Sequence, residues 1–226
     1  MPNKKNILII AKSVISTETD AIAQLHNRLT DDFPEAIQII LSSEGRLIVA
    51  GVGKSANIAN KMVATFNSTG QPSVFLHASE AMHGDLGNIQ KNDVVICISK
   101  SGNTEEIKML VPLVKNLGNK IISICGNKES YLAKESDLFI DSTVEKEACP
   151  NNLAPTSSTT AQIVLGDAMA VCLLKLRNFS DSDFARFHPG GTLGKRLYLK
   201  VSDIISEQSK AIVSPHDTIN SVIVEI

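Results

Sequence analysis

The sequence predicts an α/β domain of the doubly wound, flavodoxin-like kind, and two features of its apolar pattern carry that prediction. Short apolar runs, rich in β-branched residues, recur at 47–52, 74–76, 94–98, 121–124 and, more weakly, 138–140. Continuous runs, as opposed to alternating ones, are typical of strands buried on both faces of a parallel sheet. Helical segments separate the runs, and this alternation of strand and helix indicates a doubly wound sheet flanked by helices.

The predicted helices precede, separate and follow the strands. Residues 8–42 place apolar side chains at spacings of three, four and seven, which mark one apolar face per helix. Asp32-Phe33-Pro34 is interpreted as the joint between two helices. The remaining helical segments are 56–66, 104–117, 129–134 and a long one at 160–176.

Composition excludes several classes of partner. The 226 residues carry 22 basic and 24 acidic side chains, a net charge of −2, so there is no basic field to attract nucleic acid. With no Trp, two Tyr and seven Phe, the chain offers few surfaces on which bases stack. No run reaches the ~18 apolar residues of a membrane span, and the four cysteines show neither C-x-x-C nor zinc spacing. The sequence therefore predicts a globular cytoplasmic protein whose cysteines are reduced.

Small and polar residues follow the first predicted strand, at the edge where open α/β sheets bind ligands. The segment G-V-G-K-S ends in Gly53, Lys54 and Ser55 and leads into a helix. Glycine permits close backbone approach, and a helix N-terminus with a lysine favours an anion. The spacing fits neither the nucleotide P-loop nor the dinucleotide fingerprint. A tight turn with a solvated lysine therefore remains an alternative.

The loop after the third strand is the stronger candidate for phosphate. It holds three hydroxyls and a glycine directly before a helix, in the order Ser99, Lys100, Ser101, Gly102, Asn103, Thr104. Hydroxyls and free helix N–H groups together can cradle a phosphate. A capping box, with Ser101 or Thr104 capping the helix and a downstream Glu closing it, is the structural alternative.

Carboxylates and histidines complete the candidates. Glu145-Lys146-Glu147 follows the last strand and is either the source of a general base or a solvated charge run. The hydroxyl run at 156–160 either joins the site or caps the long helix. His77, His83 and His188 suit proton transfer because histidine titrates nearest neutral pH, although a lone histidine is more often structural.

Taken in order, these segments resemble the SIS (sugar isomerase) domain family and, within it, the D-arabinose-5-phosphate isomerases. The resemblance covers about residues 10–200. It rests on G-V-G-K-S, H-x-S-E-A-M-H-G-D-L-G, I-S-K-S-G-N-T-E-E-I, K-E-A-C-P-x-N-L-A-P-T-S-S-T-T and H-P-G-G-T-L-G-K-R-L. The S-x-S-G-x-T loop is general to phosphosugar-binding SIS domains, whereas the last two segments are more specific to the isomerases.

The resemblance implies a three-layer fold with a five-stranded parallel sheet, assembled as a tetramer whose active sites are shared between subunits. The implied reaction interconverts D-ribulose 5-phosphate and D-arabinose 5-phosphate through a cis-enediolate. Its product would supply the synthesis of 3-deoxy-D-manno-octulosonate (Kdo) for lipopolysaccharide or capsule. This chemistry needs no cofactor. The family's catalytic positions match Lys54, Glu106, Glu147 and His188.

The remaining roles follow from the same resemblance. Glu147 is assigned as the base, with Glu106 as the alternative, and a raised pKa of that carboxyl would suit the task. Substrate binding is assigned to Gly53, Ser55, Gly70, Gln71, His83, Ser99, Ser101, Gly102, Asn103 and Thr104. His77 is a candidate ligand for an inhibitory divalent cation.

Two departures from the family pattern, an expected domain boundary and two rival functions accompany this interpretation. Ala56-Asn57 replaces the family's frequent Gly-His, and Gln71 stands where a smaller residue is common. Residues 1–200 are expected to form the SIS domain, and 201–226 a truncated start of a cystathionine-β-synthase-type (CBS) module or a tail. The rivals are a non-catalytic sugar-phosphate sensor and an SIS isomerase of another ketose phosphate, such as sedoheptulose 7-phosphate.

Overall fold

The computed structural model describes residues 3–191, 214–220 and 223, and two compact units divide the chain, Met1–Phe179 and Ser180–Ile226. The predicted boundary at residues 200 and 201 lies outside the described residues, as does most of the proposed tail. The first unit contains the sheet. Among its described residues the second contains the short helix Asp181–Phe187, which begins with a capping box formed by Ser180 and Asp183.

The described residues form a five-stranded, fully parallel sheet, which confirms the predicted fold class. Its strands are β1 (Leu47–Gly51), β2 (Ser73–His77), β3 (Val94–Ser99), β4 (Lys120–Cys125) and β5 (Leu138–Asp141). The spatial order is β2-β1-β3-β4-β5. Flavodoxin-like doubly wound domains share this order.

Helices cover both faces of the sheet. In the first unit these helices are α1 (Lys4–Leu25), α2 (Asp32–Ser42), α3 (Lys54–Ser68), α4 (Glu105–Asn116), α5 (Tyr131–Glu135) and α6 (Ser157–Leu176), and the second unit contains α7 (Asp181–Phe187). The predicted joint at Asp32-Phe33-Pro34 is wrong, because α2 begins at Asp32 and holds Pro34 in its first turn. Proline is tolerated there because the first-turn N–H groups have no partner within the helix.

Alternate strand residues feed two apolar cores, one on each side of the sheet. Val49, Ile96 and Ile122 pack with α1, α2, α3 and α6 on one face. Their chain neighbours Ile48, Val95 and Ile121 pack with α4 and α5 on the other. Both faces of the strands are therefore buried, which explains the continuous apolar runs of the sequence.

Helix α6 is the one described helix that is long and apolar enough to cross a membrane by length and composition alone, with a mean hydropathy of 1.4 over its most apolar window. It packs against α1, α2 and α3 and buries residues along its length, including Leu165, Met169 and Leu173. The core helix of a globular domain passes the same test, so α6 is weak evidence for a membrane span.

The strand order creates a crevice at the carboxyl end of the sheet. After β1 the chain crosses one face through α3, and after β3 it crosses the other face through α4. Gly51 and Ile98 are neighbours in the register of these two strands. The loops that follow them therefore start next to each other and then diverge to opposite faces of the sheet. Such a switch point is where open α/β sheets bind ligands.

Candidate functional site

A cavity of about 260 Å³ lies at this switch point. It brings together five of the residues selected from the sequence, Lys54, Ser55, Ser99, Ser101 and Thr104. Its other lining residues are Val52, Lys100, Pro155, Ser158, Thr159 and Gln162. A larger cavity, of about 610 Å³, lies at the amino-terminal edge of the sheet and contains none of the selected residues.

Three helices begin at the smaller cavity. Lys54 opens α3, Thr104 is the N-cap of α4, and Ser158 belongs to the first turn of α6. The first N–H groups of a helix lack partners within the helix, and they carry the positive end of its dipole. Three such ends around one cavity make it suitable for an anion.

The capping-box interpretation of the loop after β3 is wrong. Thr104 makes no side-chain capping bond, and its Oγ1 is buried without a hydrogen-bond partner. Ser101 Oγ accepts only from the nearby Asn103 N–H, at 3.3 Å. The hydroxyl of Thr104 is therefore available to a ligand in the cavity.

Gly102 and Asn103 shape this loop and do not line the cavity. Gly102 has φ +66°, and an added Cβ would lie 2.2 Å from Ser130 Oγ, so any larger residue would be strained and would clash. Its N–H donates to Ser99 Oγ at 3.0 Å. Asn103 Oδ1 accepts from the Tyr131 N–H at 2.9 Å, which ties the loop to the start of α5.

The G-V-G-K-S segment turns sharply into α3. Gly53 adopts φ +58°, a conformation that glycine accepts without strain, and it does not line the cavity. Ser55 is buried at the cavity wall, whereas Lys54 is exposed. Among the described residues Lys54 has no ion-pair partner. Its ammonium group is free to meet an anion.

Glu147 lies behind the cavity wall, with its side chain fully buried. Oε1 accepts from Ser158 Oγ at 2.6 Å and pairs with Lys100 Nζ at 2.6 Å. Oε2 accepts from the N–H groups of Thr156 and Ser158 at 2.8 and 3.2 Å, and from Thr156 Oγ1 at 3.1 Å. The carboxylate therefore caps α6, which capping by the hydroxyl run does not describe, and the solvated charge run holds for the exposed Glu145 and Lys146 but not for Glu147.

The expected raised pKa of Glu147 is wrong in this arrangement. Burial acts to raise the pKa of this carboxyl, but the hydrogen bonds from Lys100, Ser158 and Thr156 outweigh burial and lower the pKa from 4.5 to about 2. Each donor stabilises the charged form. Glu147 is ionised at neutral pH.

Sequence reasoning missed Lys100 and Gln162. Lys100 stands inside the predicted phosphate loop, and its charge beside the hydroxyls is the signal that marks it. Gln162 lies one helical turn after Ser158, at a spacing of four, so both face the same side of α6. A polar residue at that spacing within an apolar helix is a signal that a ligand site continues along the helix.

Several selected residues lie outside this cavity. Glu106 is half-buried in the first turn of α4, His77 ends β2, and His83 is exposed in the short 3₁₀ helix Glu80–His83. Gly70 and Gln71 precede β2 at the amino-terminal edge of the sheet, opposite the cavity. There Gly70 O accepts from Arg177 at 3.2 Å.

His188 belongs to the second unit, where it follows the last residue of α7. Its ring stacks on Phe184 with a centroid distance of 3.9 Å, and Nδ1 lies 2.9 Å from the Phe184 carbonyl oxygen. When Nδ1 donates to that carbonyl, the neutral ring leaves Nε2 as its acceptor nitrogen. This is the tautomer that could take a proton at Nε2.

The metal role of His77 stays a prediction. Its Nδ1 is buried without a hydrogen-bond partner. Within the described part of the chain, no three His, Cys, Asp or Glu side chains are grouped to hold a metal ion. His77 therefore belongs to no group of three such side chains in this part of the chain.

The fold and this cavity define a class: a doubly wound α/β domain with a cavity suited to an anion at its switch point. The chain belongs to the SIS domain family, whose model matches residues 40–172. A Haemophilus influenzae protein named "Probable arabinose 5-phosphate isomerase" is 54% identical over 88% of this chain, and Pseudomonas aeruginosa arabinose 5-phosphate isomerase KdsD is 52% identical over 86%. The chain spans only 59% and 60% of the lengths of these two relatives.

A solved structure matches along its whole length. The Escherichia coli CFT073 protein c3406, in complex with arabinose 5-phosphate, is 40% identical, with a TM-score of 0.81, and the match covers 83% of this chain and 100% of that one. The catalytic and binding assignments of individual residues remain predictions.

Proposed function

We propose that this chain is an aldose–ketose isomerase that interconverts D-ribulose 5-phosphate and D-arabinose 5-phosphate without a cofactor. The observation that supports it best is the cavity where three helix N-termini and free hydroxyls adjoin a buried carboxylate. The names of the two curated relatives and the sugar phosphate bound to the solved neighbour point to the same substrate. The product would supply Kdo formation in the cytoplasm.

The substrate phosphate occupies the cavity in this proposal. Ser55, Ser99, Ser101 and Thr104 offer hydroxyls, and the starts of α3 and α4 offer N–H groups, whereas Glu147 already accepts from the Ser158 N–H at the start of α6. Phosphate binding lies away from the carbons that react, so its binding energy can hold C1 and C2 against the catalytic groups. Lys54 then neutralises the phosphate or the developing enediolate oxygen.

Glu147 moves the proton between C1 and C2, with Glu106 as the alternative base. Glu147 can accept this proton only after Lys100 leaves Oε1, because its pKa is too low while the ion pair persists. Lys100 also lines the cavity, so an incoming phosphate competes with Glu147 for its ammonium group. Substrate binding would thereby raise the pKa of the base and leave Ser158 Oγ as the remaining donor to Oε1.

The other assigned groups act around this step. His188 assists ring opening or moves hydroxyl protons, and its Nε2 is the nitrogen available for that task. His83 contacts the sugar, and His77 binds an inhibitory cation. Gly53, Gly102 and Asn103 contribute by shaping the turns that present the binding groups.

The active enzyme is a tetramer with active sites shared between subunits. Gly70 and Gln71 support this part of the proposal, because they lie at the sheet edge opposite the cavity and could reach a substrate only in another subunit. The exposed apolar residues of α1 supply a surface for assembly.

One assay tests the proposed reaction. The purified chain is incubated with D-ribulose 5-phosphate, and the aldose is identified by NMR. Arabinose 5-phosphate is the expected product. Tight binding without turnover would favour the sensor, and turnover of sedoheptulose 7-phosphate in its place would favour the other isomerase.

A further inference from the structure

We propose that Gln162 is a substrate-binding residue whose side-chain amide recognises sugar hydroxyls, separately from the groups that bind phosphate. This inference rests on the proposed sugar-phosphate substrate. The observation behind it is an amide that is buried, lines the cavity and has no hydrogen-bond partner at either Nε2 or Oε1.

The fold alone gives no reason for an amide at this position. Gln162 is 1% exposed, and its neighbours Ala161 and Leu165 belong to the apolar core. A buried amide that lacks partners loses its hydrogen bonds to water without replacement, which destabilises the folded state. An apolar side chain of the same size would be better for folding alone.

The packing of α6 explains why the amide faces the cavity. Gly166, one turn beyond Gln162, lies against Met62 of α3, and an added Cβ there would be 2.6 Å from Met62 Cγ. Toward its start, α6 presents Ser158 and Thr159 to the cavity. Among the cavity residues of α6, Gln162 is thus the one nearest along the helix to Gly166.

The chemistry of the amide selects the kind of ligand. Nε2 donates two hydrogen bonds and Oε1 accepts two. A phosphate at neutral pH mostly accepts, so it could pair with Nε2 and would leave Oε1 without a donor. Sugar hydroxyls both donate and accept, so a polyhydroxylated carbon chain satisfies both ends of the amide.

Calorimetric titration of the wild type and Gln162→Met with two ligands tests this inference. D-Ribulose 5-phosphate is expected to bind about tenfold more weakly to the variant, because a hydrogen bond to a sugar hydroxyl is lost. Inorganic phosphate is expected to bind equally to both. The Tm of the variant is expected to stay level or to rise by about 2–4 °C, because an unpaired buried amide has been removed.

Gln90→Met is the matched control, since Gln90 is exposed and precedes β3 at the opposite edge of the sheet. It should change neither affinity nor Tm. If the Met variant does not fold, Gln162→Leu replaces it. Equal weakening of both ligands, or a lowered Tm with unchanged affinities, would overturn the inference and assign Gln162 to the fold.

The two proposals fail in distinguishable ways. If the wild type makes arabinose 5-phosphate while Gln162→Met binds ribulose 5-phosphate normally, the isomerase stands and the role of Gln162 falls. If the wild type makes none but the variant still loses affinity for the sugar phosphate alone, the role of Gln162 stands and the isomerase falls.

Discussion

Burial and hydrogen bonding act in opposite directions on the carboxyl of Glu147. Burial favours the neutral form, but the donors from Lys100, Ser158 and Thr156 favour the charged form and prevail. K-E-A-C-P marks this glutamate in the sequence, but the sequence does not show its donors. Lys100 is 47 residues away along the chain, and the fold brings these groups together by placing the ends of β3 and β5 on either side of β4, near the start of α6.

Glu147→Gln is expected to lower turnover by about 10²- to 10⁴-fold while substrate still binds, because a proton acceptor is lost and the size is kept. Steady-state kinetics of Glu147→Gln and Glu106→Gln measure this directly. Near-normal turnover of the first variant, with a large loss in the second, would assign the base to Glu106.

The same variant carries a prediction about stability. Folding lowers the pKa of Glu147 from 4.5 to about 2, so the ionised group stabilises the folded chain above about pH 4.5, and this contribution is lost as the pH falls toward 2. Glu147→Gln should be less stable at pH 7 and should lose less stability on acidification. Denaturant unfolding at pH 7 and pH 3 compares the two proteins.

At the scale of elements, apolar periodicity predicted the strands and most helices to within a few residues. Each predicted strand run overlaps one strand of the structure, because parallel strands bury both faces. The predicted joint between α1 and α2 is misplaced, because Pro34 lies in the first turn of α2, where a helix tolerates proline. The start of α6 depends on the carboxylate of Glu147, a capping partner outside the helix that periodicity does not encode.

The loop between β3 and α4 depends on Gly102 both for its φ of +66° and for the space beside Ser130. Gly102→Ala is expected to destabilise the chain by about 1–3 kcal/mol and to weaken phosphate binding, because the strained turn moves Ser101 and Thr104. Gly87→Ala, with nothing within 4 Å of the added Cβ, should change stability by less than about 0.5 kcal/mol. Thermal unfolding and phosphate titration of both variants check this. Equal losses of stability and of phosphate affinity in Gly102→Ala and Gly87→Ala would contradict this role of Gly102.

At the scale of the whole molecule, the strand order decides which sequence motifs can meet. G-V-G-K-S and S-K-S-G-N-T meet because β1 and β3 are neighbours, an adjacency that motif order along the chain does not fix. The same order separates Gly70 and Gln71 from the cavity by the length of β2. A site that uses both sets of residues therefore requires more than one copy of the chain.

Assembly should depend on α1, where Ile7, Leu8, Ile9, Ile10 and Ile15 are 51–66% exposed. Exposed apolar clusters of this kind mark protein interfaces. Leu8 and Ile15 are seven residues apart on one helical face, so Leu8→Glu with Ile15→Glu places two charges there. Light scattering is expected to give a tetramer for the wild type and a smaller species with little isomerase activity for the double variant. Ser13→Glu, a charge on another face of α1, should preserve the tetramer. A monomeric wild type that is fully active would contradict the shared site, because one chain would then suffice for catalysis.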